Sequence, residues 1–422
     1  MAIVPAAPRR RRRLPRRPLA FRPVRLAERL APKRPLSIKD ASWSAAAAGL
    51  LVVLVSYSGP LLIYHQAAMA MGVSADTFSS WVMAISVAAG LSGAGLSLWL
   101  RAPIIGAWSA PGTALLLALG ARMPLAEVAG AYILCALALL AIALSGMFDR
   151  LVRLIPEGVA SGMMAGILLR FGIDAFGTLE SAPLLCALAL AAFAALRLWA
   201  PRFAGIAMLP IGIALSAGLQ GLDLSGIGLA LAQPAVVAPV FTLDGALSLA
   251  APLLIVTLTG QYLPGMAILR ASGYRLRAGP IMAVISVASL CAAAFGGVTT
   301  ALSAITAALC TGSDAHPDPA RRYVAGVATG AVYLVGGIFA GTVVTLLGAL
   351  PSELVAILAG FALIGAIGAS LRGMIAAPGG MDAGMVTFLV TASGVTVQGV
   401  GAAFWGVLFG VAVHRLALIA RR

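Results

Sequence analysis

Two short stretches place hydroxyls, aromatic residues and helix-starting signals in the middle of otherwise apolar runs. In Pro103-Ile-Ile-Gly-Ala-Trp-Ser-Ala-Pro-Gly the chain reads as extended through Trp108, with Ser109 as the N-cap of a helix that carries Pro111 in its first turn. In Gly296-Gly-Val-Thr-Thr-Ala-Leu-Ser, which ends on Ser303, the same reading makes Thr299 or Thr300 the cap. A helix that begins inside a membrane presents unpaired N–H groups and the positive end of its dipole. Two such starts aimed into one cavity favour an anion. Polar residues in neighbouring runs could complete a pocket: Ser56, Tyr57 and Ser58 in one, Thr257, Thr259, Gln261 and Tyr262 in another. Trp108 and the tyrosines suit an aromatic ligand. The competing reading is that Pro and Gly only kink packed helices, with the hydroxyls bonded back to their own backbone.

Acidic residues inform by where they are missing. All fourteen lie in the leading segment, in loops or at the ends of apolar runs, which disfavours a site built on a carboxylate for a cation or a neutral base. Proton handling would fall to His65, to Glu157 and Glu353 at the starts of two runs, or to the Asp314–His316 pair. Each has a plainer reading: His65 as an interfacial residue touching water, the two glutamates as acids satisfying helix N-termini, and Asp314 with Asp318 as neutralising Arg321 and Arg322 in a surface loop. Cys135, Cys186, Cys291 and Cys310 lie singly in apolar stretches, so neither a zinc site nor a disulfide framework is indicated. His316 beside two aspartates is no metal signature at that spacing. No cofactor is expected, and the pairings an intramembrane enzyme needs are missing.

The elements that must position these residues follow from composition. With 61% hydrophobic and 10% charged residues and a mean hydropathy of +1.02, the 422-residue chain needs lipid as its solvent. Of its 29 basic residues 13 precede position 40, so the formal charge of +15 describes a basic cytoplasmic tail over 1–43 rather than a nucleic-acid surface. Fourteen apolar runs follow: 44–64, 78–100, 103–120, 125–148, 155–169, 182–196 and 203–219, then 247–269, 278–295, 298–311, 324–347, 354–371, 374–391 and 395–413. With the tail inside, the outer loops hold only Arg122 and Arg170 among the arginines, a partition that supports both the count and the orientation. Seven is odd, so a second half related to the first would sit inverted. Leu154-Ile-Pro-Glu-Gly-Val-Ala matches Leu350-Pro-Ser-Glu-Leu-Val-Ala about 195 residues on, Tyr57-Ser-Gly-Pro-Leu matches Leu258-Thr-Gly-Gln-Tyr, and Ala129-Gly-Ala matches Ala325-Gly-Val. The expected fold class is an all-α polytopic membrane protein of about fourteen spans in two inverted seven-span repeats, with short extended segments before half-helices in spans 3 and 10.

Three stretches carry a family resemblance: Pro103-Ile-Ile-Gly-Ala-Trp-Ser-Ala-Pro-Gly; Leu258-Thr-Gly-Gln-Tyr-Leu-Pro-Gly followed by Leu269-Arg-Ala-Ser-Gly-Tyr; and Ala304-Ile-Thr-Ala-Ala-Leu-Cys-Thr-Gly running into Ala315-His-Pro-Asp-Pro-Ala-Arg-Arg-Tyr. On these the chain resembles the benzoate/proton symporters of the BenE type, from about residue 40 to its end. The resemblance implies a fold like that of the nucleobase transporters, with a core at 44–149 and 247–349, a gate at 150–219 and 350–415, an extracytoplasmic loop at 220–246 and a cytoplasmic C-terminus at 416–422. It also implies proton-driven import of benzoate or a similar aromatic carboxylate across a bacterial inner membrane, with both termini cytoplasmic. Tyr57, Ser58, Trp108, Ser109, Gln261, Tyr262, Thr299, Thr300 and Ser303 are the expected substrate contacts. Ala301 departs from the family pattern, where an Asn is common, and so does Ser303. The alternatives are a nucleobase/proton symporter, which would be expected to use a carboxylate in span 8 or 10, where Gln261 is the nearest substitute, and an anion channel or exchanger. The expected partners are the carboxylate, a proton and membrane lipid, and not nucleic acid; self-association is left open.

Overall fold

The structure, a computed structural model, describes residues 40, 42–119, 122–200, 203–222, 226–303, 306–377, 381–398 and 400–420. Most of the expected basic tail and the last two residues of the expected C-terminal segment lie outside the described residues. The first half comprises α1 (Trp43–Ser58), α2 (Pro60–Ala70), α3 (Ala75–Leu100), β1 (Gly106–Trp108), α4 (Ala110–Leu119), α5 (Leu125–Ser145), α6 (Phe148–Leu154), α7 (Glu157–Gly177), α8 (Pro183–Trp199) and α9 (Ala204–Gln220). In the second half a π-helical turn (Gly245–Ala250), α10 (Ala251–Thr257), a second π turn (Leu258–Tyr262) and α11 (Leu263–Ala271) run as one rod. Then come α12 (Ala278–Ala293), β2 (Thr300–Leu302), α13 (Ala307–Thr311), α14 (Tyr323–Ile338), α15 (Ala340–Ala349), α16 (Ser352–Ala376), α17 (Met381–Ala392) and α18 (Ala402–Ala420).

Each apolar run read from the sequence overlaps at least one of these helices. Among the described residues seven helical stretches are long and apolar enough to cross a membrane, or eight if α14 and α15, bent by 71° at Phe339, form one span; five shorter apolar helices accompany them. The run at 44–64 is one rod broken in the middle: Pro60 has no N–H to continue α1, Gly59 takes φ −130° and ψ −78°, and α2 restarts on the proline.

Small residues set how the rods pack. A Cβ on Gly90 of α3 would lie 2.8 Å from the Gly330 carbonyl of α14, and one on Gly384 of α17 would lie 2.7 Å from the Gly158 carbonyl of α7. These backbones touch because no side chain intervenes, the way helices associate where lipid removes the hydrophobic drive. The closest packing falls into two groups, α1, α3, α5, α12 and α14 in one and α7, α16, α17 and α18 in the other, with α4 and α2 reaching from the first to α7 and α16 of the second.

Where the first group meets itself, two three-residue strands cross. β1 and β2 pair antiparallel in the register Gly106↔Leu302, Ala107↔Ala301 and Trp108↔Thr300, and every residue in both is buried. The ladder extends through Ser109 N–H to the Thr299 carbonyl at 3.0 Å and Ser303 N–H to the Ile105 carbonyl at 2.8 Å. A strand buried in a membrane must satisfy its outer edge as well. One serine does this beside each strand, on Thr300 within β2 and on Ile104 two residues ahead of β1. Ser97 of α3 accepts from Ile104 N–H (3.0 Å) and donates to the Ile104 carbonyl (3.1 Å); Ser289 of α12 accepts from Thr300 N–H and donates to the Thr300 carbonyl, both at 3.0 Å. Replacing Ser289 by Ala strands two buried backbone groups. It is expected to destabilise the protein by about 1–3 kcal/mol, read as a lower melting temperature in detergent, with Ser97→Ala milder because Ile104 N–H keeps the Ala102 carbonyl at 2.9 Å.

Candidate functional site

β1 ends on Trp108, and Ser109 turns the chain into α4 as the sequence anticipates: its Oγ accepts from Gly112 N–H at 3.0 Å and its carbonyl from Thr113 N–H at 2.9 Å. Pro111 contributes no N–H, so the Ala110 amide is the first-turn donor these bonds leave over. The fully buried Ser109 thus fixes a helix start, and its positive dipole end, beside the strand pair.

The second half departs from expectation. Neither Thr299 nor Thr300 caps a helix: Thr300 is held in β2 by Ser289 and by its register with Trp108, and the strand runs on to Leu302. α13 starts only at Ala307, behind Thr306, which makes no side-chain cap, and spans five residues. Ser303 spends its hydroxyl on Thr306 at 2.5 Å. The two halves therefore present one well-formed helix start rather than a matched pair, because Ser289 takes both backbone groups of Thr300 and holds it extended in β2. Arg322 closes α13 instead, donating to the Thr311 carbonyl at 2.7 Å and to the His316 carbonyl at 2.7 Å. Arg321 takes the carboxylates, with Asp318 and Asp40 each at 3.5 Å.

On the β1 side stands an aromatic trio. The Trp108 ring lies 5.5 Å from Tyr57 of α1 and 5.3 Å from Tyr333 of α14, the tyrosines 6.2 Å apart. Tyr57 is paired with Ser86 of α3 at 2.8 Å, and Tyr333 donates to Ser56 at 2.7 Å. On the β2 side the strand packs against the second π turn, whose Gln261 is 9% exposed and Tyr262 fully buried. Tyr262 has Cys135 and Ser286 as neighbours, and Cys135 also faces Thr299. Several buried polar atoms around the crossing carry no hydrogen bond: Trp108 Nε1, Thr300 Oγ1, Gln261 Oε1, Thr257 Oγ1 and Tyr132 OH. Buried polar groups are rarely left so. A ligand with both acceptor and apolar surface could engage all of these but Gln261 Oε1, itself an acceptor: a carboxylate for the N–H and O–H donors, a ring for Trp108 and its tyrosines.

Of the expected contacts, the crossing gathers Tyr57, Trp108, Ser109, Thr299, Thr300, Ser303, Gln261 and Tyr262. Ser58 is turned away, bonded to the Val55 carbonyl of its own helix at 3.3 Å. The expected proton carriers are dispersed. His65 on α2 is 8% exposed, packs 5.5 Å from Phe78 and has no partner at Nδ1, which makes it a buried histidine rather than the water-touching one of its plainer reading. Glu157 and Glu353 sit in the first turns of α7 and α16, where a negative charge complements the helix dipole. Sequence reasoning missed Tyr333, Ser86, Ser97 and Ser289. Serines inside apolar helices were the available signal, and the matching places of Ser97 and Ser289 in the second and ninth apolar runs would have strengthened it.

A bundle of apolar helices with two broken rods, a buried strand crossing and polar groups aimed into its centre defines a polytopic membrane transporter. The fold agrees: the transmembrane domain of a cyanobacterium bicarbonate transporter, BicA, superposes with a TM-score of 0.58 at 18% identity, over 89% of this chain and 96% of that one. The murine Slc26a9 anion transporter in the inward-facing state gives 0.60 at 15% identity, over 92% of this chain and 70% of that one. Residues 39–416 match the family model described as benzoate membrane transport protein, and the chain belongs to that family. It is 43% identical over 380 residues to the benzoate membrane transport protein of Acinetobacter baylyi, covering 90% of this chain and 96% of the relative. It is 38% identical over 376 residues to the inner membrane protein YdcO of Escherichia coli, covering 89% and 96% respectively.

Proposed function

We propose that this protein imports benzoate or a similar aromatic carboxylate together with a proton, across an inner membrane in which both chain termini face the cytoplasm. The observation that carries the reading is the strand crossing, with the α4 start and uncommitted donors on one side of Trp108 and an aromatic trio on the other. The carboxylate lies at the Ala110 amide and near Thr300, and the ring lies on Trp108. Fourteen spans in two inverted repeats fit the positions of the helices, the shorter ones included. The paired use of Ser97 and Ser289 supports the repeat. The core comprises 44–149 and 247–349 and the gate 150–219 and 350–415; the two packing groups fit this division. Rocking of one against the other around the crossing gives alternating access.

A second reading, anion transport without a proton, draws on one observation: among the described residues Asp40 is the only buried carboxylate, and it is held ahead of α1 by Tyr323 and Arg321 rather than at the crossing. In the symport reading His65 is the leading proton carrier, since Glu157 and Glu353 stand at helix ends. Uptake of radiolabelled benzoate into proteoliposomes separates the two. Protein-free liposomes supply the background, because the protonated acid crosses bilayers unaided. The symport reading expects accumulation under an inward proton gradient that vanishes when the gradient is collapsed, and a loss of about tenfold or more in Ser109→Ala. Uptake indifferent to the gradient would favour the proton-free reading.

A further inference from the structure

A cavity of about 550 Å3, including the part open to solvent, lies between α4, α7 and the α17–α18 segment, at the end of α4 away from the strand crossing. Leu115, Leu119 and Ile167 form apolar wall, and the exposed guanidinium groups of Arg122, just past α4, and Arg170, on α7, stand over it. Thr391 of α17 lines the same space; it is 7% exposed and its hydroxyl has no hydrogen-bond partner. No acidic side chain is among the described residues of the lining. Two carboxylates adjoin it: Asp174, one turn along α7 from Arg170 and in its field, and Asp244, which accepts the hydroxyl of the lining Ser248 at 2.5 Å. Arg122 also donates to Thr396 at 3.1 Å, so one guanidinium ties the turn after α4 to the segment between α17 and α18.

We infer that this cavity is a capture site for a monoanionic aromatic carboxylate, separate from the strand crossing. Arg122 and Arg170 hold the carboxylate, the Thr391 hydroxyl donates to it, and the leucine and isoleucine wall takes the ring. The inference rests on the aromatic-carboxylate reading above. Two cations beside a low-dielectric wall concentrate anions at the mouth of the path between the two helix groups. Because Arg122 bonds to one group from the other, a carboxylate that draws Arg122 off Thr396 also loosens the contact that holds this side shut.

The test is benzoate uptake in proteoliposomes by the full chain carrying Arg122→Gln or Arg170→Gln, with the matching Arg→Lys variants retaining charge. The expected result is a half-saturation concentration raised about threefold to tenfold in each Gln variant, partial recovery in Lys, little change in maximal rate, and a similar rise in wild type at high salt. Unchanged half-saturation in both Gln variants, or a loss confined to maximal rate, overturns the capture site. A second readout does not need transport: phenylglyoxal labelling of Arg122 and Arg170, located by mass spectrometry, should be slowed by benzoate and not by benzyl alcohol. If wild type moves no benzoate the functional reading falls, and this protection alone decides the cavity. Protection of neither arginine overturns it even where transport is intact.

Discussion

Replacing Gln261 by Leu is expected to cut benzoate uptake by about tenfold or more while the protein melts at the same or a higher temperature. Gln261 is 9% exposed on a π turn inside a membrane rod, and its Oε1 has no partner. A buried amide left so costs about 1–3 kcal/mol, a cost that an apolar residue of similar size removes. Its use must then lie in the transport cycle, where the Nε2 N–H of the same amide donating to a charged ligand contributes about 1.5–3 kcal/mol, a tenfold or larger change in binding. The π turn supports the same view, since such turns interrupt α-helices chiefly at functional sites. Uptake assays paired with thermal melts check it; a melting temperature that falls with uptake intact would make Gln261 a structural residue.

The second large effect is on folding. Gly296 takes φ +78°, and a Cβ there would run into the indole of Trp81. Its carbonyl accepts from Tyr64 OH at 2.9 Å, the same hydroxyl accepts from Val298 N–H at 3.1 Å, and Tyr64 stacks on Trp81 with ring centres 5.2 Å apart. The turn that delivers β2 to the crossing is thus fixed from three directions. Gly296→Ala combines a left-handed backbone with overpacking and is expected to destabilise by about 2–5 kcal/mol, seen as loss of monodisperse protein on size-exclusion chromatography. Gly95 in α3 has nothing within 4 Å of its Cβ position. Gly95→Ala should therefore be silent or slightly stabilising, which separates a general glycine effect from this one.

Much of the architecture was legible because lipid enforces it. Apolar runs and their interruptions locate helices, and the Trp-Ser-Ala-Pro-Gly signal located the α4 start down to the residue that caps it. The second broken run was half legible: Gly296 and Gly297 announced a break, but where the helix resumes depends on Ser289 and on β1, which are distant in sequence. Three-residue strands have too little pattern to announce their pairing, and the Trp108↔Thr300 register is a tertiary fact. The π turns leave no compositional mark, and Tyr333 reaches the site only because α14 packs along α1 and α3. Ser58 shows the converse, a polar residue in the right run that faces its own helix.

The central claim, a carboxylate held at the strand crossing, is tested most directly by calorimetric titration of benzoate into detergent-purified protein, wild type beside Thr300→Val, Gln261→Leu and Ser58→Ala. The account predicts binding to wild type, weakening of about tenfold or more in Thr300→Val and Gln261→Leu, and wild-type affinity in Ser58→Ala. Equal affinity across all four proteins would place the ligand elsewhere and contradict it.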